Sequence, residues 1–244
     1  MTERPIRIAI VNPNTTRSMT EAAAASAAPA ARSDTVLVGV TATTGVESIE
    51  SNVDEAWGAL SVVTEIERCE ASADRPDAYV VACFGDTGVA AAREAASGPV
   101  VGMTEAALMT AALLAHRFAV VTMPRRTLRQ SEQIVRSLGL EHRCTVLAVD
   151  EPVAEIAAGS LHLLDLFVAE ARIALDRHSA EAIVLGCAGL ADLVGPLQAA
   201  LGVPVVEGVA AAVTIAEGLV AQGLTTSRAG TWARSSSPAA AVGA

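Results

Sequence analysis

Two cysteines occupy equivalent positions in a sequence that has few other reactive side chains. Cys83 and Cys187 each close a short hydrophobic run, and each precedes a glycine-containing turn, Phe84–Gly88 in the first case and Ala188–Gly189 in the second. A helix is predicted after each turn. Backbone N–H groups at a helix N-terminus stabilise a thiolate and lower a cysteine pKa from ~8.5 toward neutrality. We therefore expect two reactive thiols with lowered pKa values.

Two facing thiols are suited to inverting a carbon acid. A thiolate acts as the general base on one face of a stereocentre, and a thiol acts as the general acid on the other face. The planar intermediate carries negative charge on a carbonyl oxygen, and we expect N–H groups of the Gly85 and Gly189 turns to stabilise it, each by roughly 3 kcal/mol. A single free cysteine is usually a small buried hydrophobe. The equivalence of the two positions favours catalysis.

The composition excludes several function classes. All 17 basic residues among the 244 are arginines. A chain without lysine cannot form the Schiff base of pyridoxal phosphate enzymes or complete a Walker phosphate loop. The net charge of −10 and the aromatic content of 2% argue against nucleic-acid binding.

Other sequence features predict a cofactor-free cytoplasmic protein. The longest run without charged residues or histidine, Leu193–Val206, is shorter than the ~20 residues of a membrane span, so we expect no membrane partner. The N-terminus has no signal-peptide pattern. The four cysteines are widely spaced and lack a C-x-x-C pair, which indicates neither a zinc site nor a disulfide framework. We expect no metal and no cofactor.

The elements that must position the cysteines alternate between strand and helix. β-Branched hydrophobic runs of strand length are separated by alanine-rich stretches of helical length, the pattern of βαβ units and parallel sheets. The predicted strands are Ile6–Val11, Thr35–Thr41, Ala78–Phe84, Val100–Met103, Phe118–Thr122, Thr145–Val149, Ala182–Gly186 and Pro204–Val206. The predicted helices are Ser18–Ala31, Val53–Ala71, Gly88–Ala96, Glu105–Ala115, Leu128–Leu138, Leu163–Arg177, Leu190–Leu201 and Val209–Gln222.

An internal repeat indicates two related lobes. Arg7–Asn12 aligns with Arg117–Thr122 at an offset of 110, and Ala78–Gly85 aligns with Ala182–Gly189 at an offset of 104. Similar segments in the same order predict an α/β fold of two similar lobes with parallel sheets, related by a pseudo-twofold axis. Ligands bind beyond the carboxyl ends of such strands, so we expect the active site in the cleft between the lobes.

The domain boundaries follow from this repeat. Residues 1–98 are predicted to form the first α/β lobe, completed by the C-terminal helix at 207–224. Residues 99–206 are predicted to form the second lobe. From residue 225 to residue 244 the composition shifts to Ser, Ala, Gly and Arg, which is typical of a flexible tail.

The motifs resemble the aspartate/glutamate/hydantoin racemase superfamily, in particular its hydantoin and allantoin racemase branch. The resemblance spans about Arg7 to Arg228 and implies a paired-cysteine active site between two lobes, with Cys83 and Cys187 as the pair. The segments that carry it are Val11–Thr16, Ala82–Asp86, Gly102–Ala106, Val120–Thr122 and Leu185–Gly189.

The branch assignment depends on the residues beside the cysteines. The amino-acid racemases of the superfamily typically have Cys-Asn-Thr and Gly-Cys-Thr-Glu, where this chain has Cys83-Phe-Gly-Asp and Gly186-Cys-Ala-Gly. Apolar Phe84 and Ala188 suit a neutral ring better than free carboxylates. Arylmalonate decarboxylases resemble the same fold but keep only the second cysteine, so Cys83 favours racemisation.

Three further residues are candidates for substrate binding. Asn14 follows the first strand and could bind a ring carbonyl or N–H, although a turn or N-cap residue would look the same. Thr122 ends the matching strand of the second lobe and could make the mirror contact. The backbone at Gly45 could line the ligand, but Gly45-Val46 departs from the Gly-Pro that relatives often have there.

Together these features predict a cofactor-independent racemase of 5-substituted hydantoins, including allantoin, with a small cyclic ureide as its partner. Apolar helices without an evident packing surface indicate a homo-oligomer. Two alternatives stay open from the sequence. One is an isomerase or decarboxylase of the same superfamily that acts on a dicarboxylate, and the other is a non-catalytic two-lobed ligand-binding protein.

Overall fold

The computed structural model describes residues 4–234, and they form two parallel four-stranded sheets. The first sheet has the strand order β2-β1-β3-β4 and the second β6-β5-β7-β8. The strands are β1 Ile6–Asn12, β2 Thr35–Thr41, β3 Ala78–Val81, β4 Val100–Gly102, β5 Phe118–Thr122, β6 Cys144–Ala148, β7 Ile183–Gly186 and β8 Val205–Val206. The two sheets share one topology, and this confirms the predicted α/β class with two similar lobes.

Helices connect the strands and cover the sheets. They are α1 Arg17–Ala27, α2 Asn52–Glu70, α3 Val89–Ala95, α4 Met103–Leu114, α5 Leu128–Ser137, α6 Leu164–His178, α7 Val194–Leu201 and α8 Gly208–Ala221. Short 3-10 turns lie at Arg125–Thr127, Val153–Ala158, Leu161–Leu163 and Ala188–Leu193. The predicted helix Leu190–Leu201 is thus α-helical only from Val194, which leaves Pro196 in the first turn, where its missing N–H is tolerated.

The strand register reproduces the sequence repeat. Ala9 of β1 pairs with Tyr79 of β3, and Ala119 of β5 pairs with Ile183 of β7. These are the residues that the offsets of 110 and 104 relate. All residues of β3, β5 and β7 are buried. Continuous hydrophobic runs therefore form central strands that are covered on both faces.

The structure places β4 in the first sheet, whereas the predicted second lobe begins at residue 99. Val100 pairs with Tyr79 of β3. β3, α3 and β4 form a βαβ unit. Because α3 is short, the crossover returns the chain to a position beside β3. Apolar residues of α8, among them Val209 and Val213, pack with Ile8 and Ile10 of β1.

Residues 225–234, the start of the predicted flexible tail, contact the end of α3 on the first sheet's side of the molecule. Thr225 Oγ1 donates a hydrogen bond to the carbonyl of Ser97 at 2.7 Å. Arg228 donates to the carbonyls of Arg93, at 2.7 Å, and Ala96. These carbonyls lie at the C-terminus of α3, where backbone acceptors have no partner within the helix. The remainder of the predicted tail, 235–244, lies outside the described residues.

The helices between residues 4 and 234 include none with both the length and the apolar character that a bilayer span requires.

Candidate active site

Residues at the carboxyl ends of four strands line one cleft between the sheets. Asn12 and Thr122 are the last residues of β1 and β5, and the cysteines follow β3 and β7. The cleft contains about 550 Å³ of atom-free space, including its open mouth. It is lined by Asn12, Asn14, Met19, Ile49, Ala82, Cys83, Phe84, Thr122, Met123, Thr127, Gln130, Val153, Gly186, Cys187 and Ala188. The carboxyl ends of parallel strands thus meet at one cleft, as expected of such sheets.

Most of the residues predicted from the sequence lie in this cleft. Its walls include both cysteines and the predicted binding residues Asn14, Phe84, Thr122 and Ala188. The three predicted glycines, Gly45, Gly85 and Gly189, are not among the described residues that line it. The structure therefore brings together the predicted side chains, but not the predicted backbone positions.

The glycine N–H groups have other partners. The Gly85 N–H donates to Thr104 Oγ1 at 2.8 Å, so it is already engaged and is not free for the predicted oxyanion contact. The Gly189 N–H is directed at the sulfur of Cys187. Gly45, in the loop before α2, has a φ of 126°, and a Cβ at this position would lie 3.0 Å from Ser61 Oγ.

The predicted lowering of both thiol pKa values is also wrong. Burial raises the pKa of Cys187 to about 11, and burial followed by the charge of Glu55 raises that of Cys83 further still. Desolvation of a thiolate outweighs the helix-terminus effect. For Cys83 that effect is also weak, because α3 begins only at Val89.

A network of hydrogen bonds fixes the loop that carries Cys83. Thr87, only 2% exposed, donates from Oγ1 to the sulfur of Cys83 at 3.3 Å. Asp86 has a φ of 51°, and its carboxylate accepts the N–H groups of Thr104 at 2.8 Å and Glu105 at 2.9 Å. Burial raises the pKa of Asp86 to about 6. The loop is therefore anchored on the N-terminus of α4, where the helix dipole favours a carboxylate.

Cys187 has a different electrostatic environment. The backbone N–H groups of Gly189 and Ala188 hydrogen-bond its sulfur and favour the thiolate, although burial is the larger effect. Next to Cys187 in the chain, the carbonyl of Gly186 accepts a hydrogen bond from Thr122 Oγ1 at 3.0 Å, and a side chain at Gly186 would collide with Thr122. This hydrogen bond therefore joins the ends of β5 and β7 at the residue that precedes Cys187.

Hydrogen bonds hold the side chain of Asn14 at the cleft. Its Oδ1 accepts hydrogen bonds from Asn12 Nδ2 at 2.8 Å and from the Thr16 N–H at 3.0 Å. Its Nδ2 donates to the sulfur of Met19, a weak acceptor, at 3.6 Å. The turn role and a donor role toward a ligand are therefore compatible, because they use different atoms of the same amide.

Among the site residues that sequence reasoning missed, three polar ones bear on its chemistry. Asn12 orients Asn14, Thr87 contacts the thiol of Cys83, and Gln130 of α5 lines the cleft. Asn12 was within reach of the sequence, since the repeat aligns it with Thr122. Nothing local to Thr87 or Gln130 distinguishes them from other polar residues. Among the described residues, no cluster of three or more His, Cys, Asp and Glu side chains is arranged to hold a metal ion.

The fold and site define a class of α/β protein in which two similar lobes carry one thiol each into a shared cleft. Residues 8–216 match the family model described as Asp/Glu/Hydantoin racemase, and the chain belongs to this family.

Individual relatives are similar over nearly their whole length. A hydantoin racemase of Rhizobium meliloti is 41% identical over 93% of this chain and 94% of its own. The structure of an allantoin racemase from Klebsiella pneumoniae is 39% identical, with a TM-score of 0.91 and coverage of 96% of both chains. That of an allantoin racemase from Pseudomonas fluorescens is 38% identical, also with a TM-score of 0.91, and covers 98% of this chain and 100% of its own.

Proposed function

We propose that this protein is a cofactor-independent racemase of 5-substituted hydantoins, including allantoin, with Cys83 and Cys187 as its acid/base pair. The observation that carries the proposal is the placement of two thiols, after equivalent strands of two similar sheets, in one cleft. The relatives named hydantoin and allantoin racemases support the substrate class.

The reaction requires only proton transfers. One cysteine, as thiolate, takes the proton from the stereocentre, and the electron pair moves onto the neighbouring carbonyl oxygen. The other cysteine, as thiol, returns a proton to the opposite face of the planar carbon. The first cysteine ends as thiol and the second as thiolate, so the reverse reaction exchanges their roles. The chain has no lysine that could form an imine with the substrate. The acidity of the C–H bond at the stereocentre must therefore come from the ring carbonyl and amide that flank it.

Cys187 is the cysteine that ionises more readily in this proposal. Both pKa values are raised by burial, but the N–H groups of Ala188 and Gly189 stabilise a negative sulfur at Cys187. Cys83 lies near the carboxylates of Glu55 and Asp86, which oppose its ionisation. When the pair carries one negative charge, that charge therefore lies on Cys187, and Cys83 remains the acid that inversion requires.

The other cleft residues position the ring. Asn14 Nδ2 is proposed to donate to a ring carbonyl, because its Oδ1 is already occupied. Phe84 and Ala188 supply apolar walls for a neutral substrate. Thr122 lines the cleft but uses its hydroxyl hydrogen on Gly186, so it is proposed to shape the floor rather than to donate to the ring.

Optical rotation tests the proposal directly. Incubating the protein with enantiopure 5-methylhydantoin and with enantiopure allantoin should bring the rotation to zero faster than in buffer. Cys83→Ser and Cys187→Ser should each abolish inversion. In deuterated water each variant should still exchange the proton of one enantiomer, and the two variants should prefer opposite enantiomers. Racemisation at the native rate by either variant would refute the two-base mechanism.

The proposal also includes the setting in which the enzyme works. We assign it to the cytoplasm, where four free cysteines stay reduced. We assign it a homo-oligomeric state because α2 carries exposed Val53, Trp57 and Leu60 at helical spacing along one face. Light scattering on the purified protein measures its mass, and a monomer at all concentrations would contradict that assignment.

A further inference from the structure

A hydrogen bond crosses from one lobe to the other at the wall of the cleft. Gln130 Nε2, on α5 of the second lobe, donates to Glu55 Oε1, on α2 of the first, at 2.5 Å. Gln130 is one of the residues that line the cleft with both cysteines. Glu55 lies close enough to Cys83 for its charge to oppose ionisation of that thiol. The pair therefore lies at the reacting groups as well as between the lobes.

Gly85 makes this arrangement possible. A Cβ at Gly85 would lie 2.8 Å from Gln130 Nε2 and 3.2 Å from Glu55 Oε1. Both side chains thus rest on the backbone of the loop that carries Cys83, and only a residue without a side chain leaves them room. This gives Gly85 a structural function that does not require its N–H to face the ligand.

Gln130 has hydrogen-bonding capacity that other polar residues of the cleft have already used. Asn12 Nδ2 contacts Asn14, Thr16 and Thr20. The hydroxyls of Thr122 and Thr127 donate to the carbonyls of Gly186 and Pro124. A glutamine amide has two N–H donors and a carbonyl acceptor. With one N–H bound to Glu55, Gln130 keeps one donor and one acceptor.

A donor and an acceptor on one planar amide match the edge of a cyclic ureide, which presents a ring N–H beside a ring C=O. We propose that Gln130 is a substrate-binding residue that recognises this N–H/C=O edge by a pair of hydrogen bonds, and that Glu55 is the positioning residue that holds its amide. The inference rests on the proposed function, since it concerns the same substrate class. It adds the residue that distinguishes a ureide ring from a carbon acid without ring N–H groups.

Calorimetric titration with racemic 5-methylhydantoin tests the recognition role of Gln130 in the active protein. The racemic ligand is already the equilibrium mixture of enantiomers, so turnover does not change its composition during the titration. Gln130→Leu removes the amide at similar volume and should raise Kd about tenfold to a hundredfold, because the ring N–H and C=O then lose their hydrogen-bond partners. Gln130→Asn, which shortens the side chain but keeps the amide, should shift Kd in the same direction. Gln133→Leu is the matched control, because Gln133 is exposed on the same helix.

Two further measurements separate recognition from a purely structural latch. The native protein should prefer 5-methylhydantoin over at least one of its two ring N-methyl analogues, and Gln130→Leu should lose that preference. Glu55→Ala should weaken binding several-fold and Glu55→Gln, which keeps an acceptor, should restore it. Glu67→Ala, at an exposed position of α2, should bind as the native chain does.

The outcomes are distinct. If the native protein racemises hydantoins and Gln130→Leu binds within twofold of it, the recognition role is refuted while the proposed function stands. If the native protein neither binds nor racemises any hydantoin or allantoin, the proposed function fails and this inference fails with it. A Kd raised tenfold or more in Gln130→Leu, with Gln133→Leu unchanged, supports the inference.

Discussion

Thr87→Val tests the proposed role of Cys83 through one buried hydrogen bond. Thr87 Oγ1 lies 3.3 Å from the sulfur of Cys83, and its hydrogen bond lowers a pKa that burial and Glu55 raise. The variant keeps the side-chain shape and removes the donor, so the thiolate of Cys83 becomes less stable whenever the mechanism forms it. A hydrogen bond to a charged group contributes about 1.5–3 kcal/mol. At about 1.4 kcal/mol per factor of ten, kcat/KM should fall roughly tenfold to 150-fold.

Polarimetry from each pure enantiomer of 5-methylhydantoin provides the assay. The two enantiomers have equal free energy, so kcat/KM must fall equally in both directions. Thr87→Ser keeps the hydroxyl and should recover most of the activity. Thr214→Val is the matched control, because Thr214 makes an exposed hydrogen bond within α8. A folded Thr87→Val variant with kcat/KM within twofold of the native value would refute the reasoning.

Three other predictions follow from the same contacts. Because burial raises the pKa of Cys187 to about 11, the thiolate fraction and the enzymatic rate, corrected for the uncatalysed reaction, should grow from about pH 7 to about pH 9; a maximum below pH 7 would contradict this. Gly186→Ala collides with Thr122 and should lower the free energy of unfolding by about 1–3 kcal/mol, whereas Gly195→Ala, with open space around it, should not destabilise the protein in the same denaturant titration. Arg228→Ala should cost about 1–2 kcal/mol of stability by freeing the carbonyls at the end of α3, and an unchanged thermal midpoint would show that this contact is dispensable.

The fold was largely predictable because its signal is local. Each hydrophobic run of strand length became a strand, and the aligned runs became equivalent strands of two sheets with the same register. The cysteines could be predicted as a pair for the same reason, since each follows one of the aligned runs. The position of β4 was assigned to the other lobe because a three-residue strand carries no mark of which sheet it joins.

The chemistry of the site depended on contacts between distant segments. Gly85 and Thr104 meet because the loop after β3 packs on the start of α4, and that contact takes the N–H that the sequence assigned to an oxyanion. Glu55 and Gln130 come from different lobes and meet only when the cleft forms. No spacing rule relates such pairs, since their distance is set by how complete elements pack.

The sequence alone therefore determined two parallel sheets, a cleft at their strand ends and two thiols within it, because hydrophobic periodicity and the repeat are properties of neighbouring residues. Only the tertiary structure decided how those thiols ionise. A cysteine pKa depends on how much water the fold removes and which charges it brings near, and here burial reverses the shift that a helix N-terminus predicts. The difference between Cys83 and Cys187 arises in the same way, chiefly from the charge of Glu55 at Cys83 and from backbone N–H groups at Cys187.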